Sequence, residues 1–251
     1  MIKVENLSFS YGEKEILKNI DFETVKGKLN VIIGPNGSGK STLMNVLCRE
    51  LDYRNGLVDI DGKNLSSYSH LEYSRKVAAI SQNMDIRFPF TCSEIVMMGR
   101  YPHKRKFGRY SKRDFNSVEE SMKLTEVTDY KERLISEISG GEKQRVFLAK
   151  ALAQETEILL LDEAFSNMDI NYKISSLRLL KEIIAKRNIT VVAIIHDLYL
   201  VNMFADYIIA LKEGEIVFKG TSNHVIAPDV MKNLFDISIK KTDLNELIIT
   251  A

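Results

Sequence analysis

The sequence predicts an α/β fold built on a mainly parallel sheet, and three observations carry that reading. From residue 142 onward, helix-like stretches at 142–153, 171–187 and 197–205 alternate with the apolar runs EILLLD at 157–162, TVVAII at 190–195 and YIIAL at 207–211. Continuous apolar strands separated by helices suit a sheet buried on both faces. LNVIIG at 29–34 runs as a strand into a glycine-rich loop, and STLMNVLCREL at 41–51 leaves that loop with helical periodicity. Two segments break the rhythm: short strands and turns fill the first 35 residues, and charge with helical periodicity fills about 84–137.

Taken in order, IKVENLSFS, the YGEKE turn, ILKNIDFETV and the KGK turn predict an N-terminal antiparallel β-subdomain. GLVDI and the DG turn at 61–62 extend it. KVAAISQ at 76–82 is a strand, and FNSVEESMKLTEV at 115–127 marks a helix of an inserted helical subdomain. The tail from about 213 begins at a GE turn and carries a short helix near DVMKNLF and strand-like ends. Nothing repeats internally, so the 251 residues read as one domain with an insert.

Composition bounds the function. The chain is 45% hydrophobic and 27% charged, as a soluble globular protein is, and its formal net charge of +1 gives no overall pull toward nucleic acid or anionic lipid. MIKVENLSFSYG is too polar for a secretory signal, and VVAII at 191–195 is far short of a membrane span. Cys48 and Cys92 stand in no metal or redox spacing and read as free thiols of a reducing compartment. The four histidines form no ligand cluster, and His70 and His103 read as surface residues.

The chemistry concentrates in a few short stretches. GPNGSGKS at 34–41 fits G-x-x-x-x-G-K-[ST] between a strand and a helix, as the motif requires. Backbone N–H groups of Gly37 to Ser41 would cradle phosphates, Lys40 would reach the β/γ oxygens and Ser41 would hold Mg²⁺. EILLLDE ends a buried strand in two acids: a metal would offset the cost of burying Asp162, and Glu163 could act as general base toward the attacking water. Gln82 and His196 also end apolar strands, where open α/β sheets gather ligands. Gln82 is placed to touch Mg²⁺ and the water, and His196 to touch the γ-phosphate. A second anion-binding pattern, ISGGEKQR at 138–145, sets a serine and two glycines before a helix but has no lysine and no metal carboxylate, so it is half a site.

In this order these residues resemble the ATP-binding subunit of an ABC transporter, a P-loop NTPase, over nearly the whole chain. Tyr11 in FSYG looks like the aromatic that stacks on adenine. Gly34, Pro35, Asn36, Gly37, Ser38, Gly39, Lys40, Ser41 and Thr42 look like Walker A, and Gln82 like the Q-loop. Ser139, Gly140, Gly141 and Glu142 look like the family signature, LLLDE at 159–163 like Walker B with its glutamate, SNMD at 166–169 with Asp169 like the D-loop, and His196 like the switch histidine. The resemblance implies ATP and Mg²⁺ as ligands. It also implies a homodimer in which the signature loop of one copy completes the phosphate site of the other, a two-fold arrangement. The family usually has Leu, Gln, Pro and Leu where this chain has Ile138, Glu142, Ala164 and Met168, and none of these changes removes a catalytic group.

FPFTCSEIVMMGRYPHKRKFGRYSKRD at 88–114 resembles the ATPases of importers for ferric siderophores, haem and cobalamin. A zinc or manganese importer ATPase and a soluble non-transport ABC ATPase are the alternatives. The resemblance implies membrane-spanning permease subunits, an indirect link to an external substrate-binding protein, a place at the cytoplasmic face of the membrane and no nucleic-acid partner. HKRKFGRYSKR at 103–113 holds seven basic or His residues among eleven. It reads as a solvated loop, as a contact to the permease or anionic headgroups, or last as a nucleic-acid patch without a recognition motif.

Overall fold

The computed structural model describes residues 1–81, 86, 88–104, 108–165, 168–221, 228–235, 238–241 and 247–250. They fall into two compact units, Met1–Ser67 with Val192–Ala251 and Tyr68–Val191.

The first unit opens with strands β1 (Ile2–Tyr11) and β2 (Lys14–Glu23), an antiparallel hairpin, followed by β3 (Leu29–Ile33) and helix α1 (Lys40–Leu47). β4 (Asn55–Ile60) and the short β5 (Lys63–Asn64) complete a sheet of order β2-β1-β4-β5. Ile2, Val4 and Leu7 face inward from β1, as do Leu17, Ile20 and Phe22 from β2. The spacing slips by one residue between Val4 and Leu7, where Asn6 takes a positive φ of 48° and the ladder shifts register. β3 alternates nothing: all five residues are buried, as a strand covered on both faces must be.

The second unit starts with α2 (His70–Lys76) and β6 (Val77–Ile80), continues through α3 (Cys92–Met98), α4 (Lys112–Leu124) and α5 (Gly140–Ala153), and ends with β7 (Ile158–Asp162) and α6 (Ile170–Arg187). β6 and β7 pair in parallel, Val77 opposite Ile158 and Ile80 opposite Leu161. Four helices here begin with the same reciprocal cap: Ser69 with Glu72, Thr91 with Glu94, Ser111 with Asp114 and Ser139 with Glu142. Each serine or threonine accepts the N–H three residues on, and each acid accepts the cap's own N–H, so two helix-start donors are satisfied at once. α3, α4 and α5 pack through Cys92, Ile95, Val96, Val118, Met122, Val146 and Phe147. Burial pushes the Cys92 thiol up, as expected for a packing residue.

The chain returns to the first unit along β8 (Thr190–Ile194), α7 (Leu198–Phe204), β9 (Tyr207–Lys212), β10 (Glu215–Thr221) and α8 (Pro228–Phe235), and closes with the hairpin β11 (Ser238–Lys241) and β12 (Leu247–Thr250). Here β3 pairs in parallel with β9, β9 antiparallel with β10, and the order is β10-β9-β3-β8. Leu29 N–H donates to the Asp206 carboxylate at 2.9 Å and Asp206 N–H returns to Leu29 O at 3.0 Å, which pins the start of β3 beside β9.

The observed elements follow the expected rhythm within a few residues, with differences. α2 was not anticipated, because its seven residues are too few to show a period; its SHLE start carried the only local cue. The second unit runs from Tyr68 to Val191, and within it α3 and α4 pack on α5 and share its core. His70 is exposed, but His103 is half-buried with its Nε2 2.8 Å from Gln154 O, so it has a tertiary role that a surface reading missed. Among the described residues, no helix is long and apolar enough to cross a membrane.

One buried ion pair joins α4 to the stretch after α3. Arg100, 1% exposed, donates Nε–H to Asp114 Oδ1 at 2.9 Å and Nη1–H to Ala153 O at 2.6 Å, and its guanidinium also lies 3.0 Å from Glu155. Burial pushes the Asp114 carboxyl up, but the Ser111 N–H and hydroxyl and the Arg100 guanidinium outweigh it and hold the group at about 2. A depressed acid contributes its full stabilisation above its ordinary value of 3.8 and loses it as pH falls through about 2. Asp114→Asn leaves the Arg100 charge short of its main partner and is expected to cost about 3–5 kcal/mol at neutral pH. It should also lessen the loss of stability on acidification from about pH 4 to about pH 2. Chemical denaturation across that range measures both effects.

Candidate functional site

In the first unit, the loop Gly34–Gly39 joins β3 to α1 in a shape that only its glycines permit. Gly34, Gly37 and Gly39 have φ of 151°, 77° and 104°. A Cβ on Gly34 would stand 2.1 Å from Leu211 O, and one on Gly39 would meet Leu17 Cδ2 at 2.9 Å and Ile16 O at 3.2 Å. At Gly34 and Gly39 the loop is therefore pressed against β9 and β2 with no room for a side chain. It is also tied down: Gly214 N–H donates to Ser38 O at 3.1 Å, and Lys18 N–H donates to Gly214 O at 2.8 Å. Asn36, Gly37 and Ser41 are exposed, Pro35 and Thr42 partly so, and Ser38 and Lys40 are buried. Lys40 folds its ammonium back onto the loop, donating to Gly34 O at 3.0 Å and Pro35 O at 2.8 Å.

α1 is the exception among the helix starts. Among the described N-caps, those of α2 to α7 each supply a side-chain oxygen to the first turn, whereas the N-cap of α1, Gly39, supplies none. Its first N–H groups have no intrahelical acceptor, and they stand at the positive end of the helix dipole. The Ser38 hydroxyl, on a residue 2% exposed, has no hydrogen-bond partner among the described residues. Orphaned N–H groups, a buried unused hydroxyl and a lysine together fit a phosphate chain.

Tyr11 and His196 belong to the same unit. Tyr11 ends β1, half exposed, with its ring edge-on to Phe9 at 5.0 Å. His196 is exposed on the link between β8 and the Asp197 cap of α7.

In the second unit, Asp162 is the last residue of β7, and it and Glu163 are partly buried. Glu163 has φ of 50°, a left-handed conformation that costs a side-chain-bearing residue about 1–2 kcal/mol. Ala164 behind it is 2% exposed. Ser139 and Gly140 are exposed at the start of α5. The Ser139 N–H donates to Glu142 at 2.7 Å and Glu142 N–H to Ser139 Oγ at 3.4 Å, so the residue that departs from the usual glutamine closes the helix cap as glutamine would. Ile138 is buried in the helical core. Asp169 caps α6, accepting the N–H groups of Asn171 and Tyr172 at 3.0 Å each. Gln82 and the Ser166–Asn167 part of SNMD lie outside the described residues.

Mg²⁺ in nucleotide sites takes one or two protein oxygens and completes its shell with phosphate and water. The Ser41 hydroxyl and the Asp162 carboxylate are hard oxygen donors of that kind. Of the basic loop, Lys104 lies 4.9 Å over the Tyr110 ring and Arg113 pairs with Glu155 at 3.2 Å, so part of its charge is spent on local contacts. Sequence reasoning missed Tyr130 and Tyr172, which touch Glu142 and Gly141; no motif marks them.

Residues 17–166 match the family described as ABC transporter. The chain is 35% identical over 236 residues to the iron(3+)-hydroxamate import ATP-binding protein FhuC of Bacillus subtilis (strain 168), which spans 94% of this chain and 88% of that protein. It is 36% identical over 248 residues to the hemin import ATP-binding protein HmuV of Pseudoalteromonas translucida (strain TAC 125), spanning 96% and 94%. Among solved structures it is similar to an ATP-binding cassette described as a dimer in a post-hydrolysis state bound to ADP and Pi, with a TM-score of 0.74, 28% identity, and 88% of this chain and 99% of that one covered.

Because Lys40 bonds two loop carbonyls, its removal is expected to act twice. Lys40→Ala should lower stability without nucleotide by about 1–3 kcal/mol, through the loss of charged hydrogen bonds. It should also weaken nucleoside triphosphate binding. Thermal denaturation with and without ATP separates the two effects, and an unchanged shift on adding ATP would remove Lys40 from the phosphate site.

Proposed function

We propose that this chain, which belongs to the ABC transporter family, is the ATPase subunit of an importer for an iron chelate, haem or cobalamin. A member of this family binds and hydrolyses ATP, pairs into dimers and works with membrane permease subunits. The observation that carries the site assignment is the uncapped start of α1 above a lysine and a buried hydroxyl, which fits the triphosphate of ATP. The cargo class rests on the likeness to proteins described as importing iron(3+)-hydroxamate and hemin.

In this reading residues 1–251 are one ATPase domain with a helical insert at about 84–137 and a tail from about 213. Tyr11 stacks on adenine, and Gly34 to Thr42 hold the phosphates. Lys40 exchanges its loop carbonyls for β/γ oxygens, so its charge is pre-placed and its hydrogen bonds are replaced when nucleotide arrives. Ser41, Asp162 and Gln82 would hold Mg²⁺, which would supply positive charge against the phosphates. Glu163 accepts a proton from the water whose oxygen attacks the γ-phosphorus, and ADP leaves with the electron pair of the broken bond. His196 steadies the γ-phosphate. Ser139, Gly140, Gly141 and Glu142 contact the γ-phosphate held by a second copy of the chain, and Asp169 lies at that junction. The ATPase pair sits on the cytoplasmic face of the membrane against its permease, and the permease meets an external substrate-binding protein.

Glu163→Gln keeps shape but cannot take the proton, so hydrolysis should fall about 10²–10⁴-fold. Unhydrolysed ATP then bridges two copies and favours the associated state by mass action. Light scattering of this variant with ATP and Mg²⁺ is expected to show a dimer. Adding Ser139→Arg should block the bridging contact and return a monomer that still binds ATP. A dimer that survives Ser139→Arg would overturn the bridging role of the signature turn. Tyr11→Ala should weaken adenine nucleotide binding by about 1–3 kcal/mol and leave inorganic triphosphate binding unchanged. Calorimetric titration with both ligands reads the difference.

A further inference from the structure

We infer that Tyr130 and Tyr172 are positioning residues for the signature turn, Tyr130 acting through the Glu142 carboxylate and Tyr172 through its ring against Gly141. The inference rests on the reading that Ser139–Gly141 contacts ATP held by a second copy. If that reading holds, the turn must present its donors at fixed positions on a surface where it has no partner of its own until the copies meet.

The second unit contains what is needed to hold it. Capping by Ser139 occupies the N–H of Glu142 and leaves the N–H groups of Gly140 and Gly141 without an intrahelical acceptor. Those two N–H groups are what a phosphate can use, and their direction depends on how the start of α5 is held. Glu142 accepts the Ser139 N–H at 2.7 Å, and Tyr130 lines the same cleft as Glu142. The Tyr130 hydroxyl beside it, and then the Ser139 donors, hold the Glu142 carboxyl below its usual range. One carboxylate therefore links the cap serine to the loop before α5.

On the other side stands α6. A Cβ on Gly141 would lie 2.8 and 2.9 Å from Cδ1 and Cε1 of Tyr172, so the tyrosine ring rests directly on the glycine backbone. Tyr172 is itself set by Asp169, which accepts its N–H at 3.0 Å. This gives the D-loop aspartate a route to the signature turn through the cap of α6. Tyr130, Glu142 and Tyr172 line one cleft of about 330 Å³ with Arg145, whose guanidinium bonds Glu126 and approaches Ser175 Oγ at 3.5 Å. The turn is thus flanked by Tyr130 beside Glu142 and by the Tyr172 ring on Gly141, and each can be removed separately.

The test uses the full chain carrying Glu163→Gln, with ATP and Mg²⁺, and reads the dimer dissociation constant, the ATP affinity at protein concentrations that keep the chain monomeric, and thermal stability. Tyr130→Phe removes one hydroxyl and is expected to raise the dimer dissociation constant about threefold to tenfold, the scale of a partly solvated hydrogen bond to a charged group. Monomer ATP affinity and thermal stability should stay put. In a background with Glu142→Ala, Tyr130→Phe should have no further effect, because the two residues act as one unit. Tyr172→Ala is expected to weaken dimerisation similarly, and Tyr172→Phe, which keeps the ring, should restore it. If Tyr130→Phe and Tyr172→Ala both dimerise like their parent while Ser139→Arg does not, the positioning role is overturned and the signature reading stands. Additive effects of Tyr130→Phe and Glu142→Ala would overturn the route through Glu142. If Ser139→Arg dimerises as well, the reading on which the inference rests falls with it.

Discussion

Backbone N–H groups at the start of a helix need an acceptor, and how each helix meets that need organises this molecule. Six helices meet it internally, with Ser69, Thr91, Ser111, Ser139, Asp169 and Asp197 as caps. α1 does not. Its N-cap is a glycine in a left-handed conformation with φ of 104°, which no capping serine or aspartate would readily adopt. The start of the helix is left without a side-chain cap, and the surrounding structure keeps the opening in shape. Leu211 and Ile16 close on the loop from two strands, Gly214 holds Ser38, and Lys40 lies folded on the rim. Side-chain oxygens of Ser, Thr or Asp do for the other helices what none does for α1.

The same requirement gives the signature turn a second meaning. SGGE is one of four reciprocal caps in its unit, and in three of them the reciprocal bonds have only a structural task. In the fourth, two glycines occupy the positions between cap and acid, so the N–H groups that the box leaves over are bare of side chains. A capping box fixes the helix start, and glycine at its two inner positions opens that start to a ligand. Neither property alone makes half of a phosphate site. Glutamate in place of the family's usual glutamine still closes the box, accepting the Ser139 N–H at 2.7 Å.

Strain and burial are spent locally around the acids. Glu163 takes a left-handed conformation directly after Asp162, the last residue of β7. Ala164, where the family usually has proline, is packed away at 2% exposure, so the turn is held by burial and not by a ring. Arg100 and Asp114 show the opposite use of charge. Both are buried, neither faces a candidate ligand site, and together with Ala153 O they lock α4 to the end of α5.

The sequence by itself determined the parts whose physics is local. A strand followed by GPNGSGKST can make an anion loop because consecutive residues set the backbone angles and leave the N–H groups bare. ILLLDE, SGGE and the apolar runs of the sheet are legible for the same reason, since each depends on residues a few positions apart. The reciprocal caps at 69–72, 91–94 and 111–114 were equally legible, and the first would have announced α2. Tertiary structure alone decided which distant groups meet these motifs: Leu211 over Gly34, Gly214 on Ser38, Tyr130 on Glu142, Tyr172 on Gly141 and His103 on Gln154. None of these partners carries a motif, because the chain needs only a carbonyl, a hydroxyl or a ring at that place, and many sequences can deliver one. Which residue delivers it depends on how strands pair and which helix faces pack. That is settled by burying apolar surface across the whole unit, and no short stretch of sequence contains it.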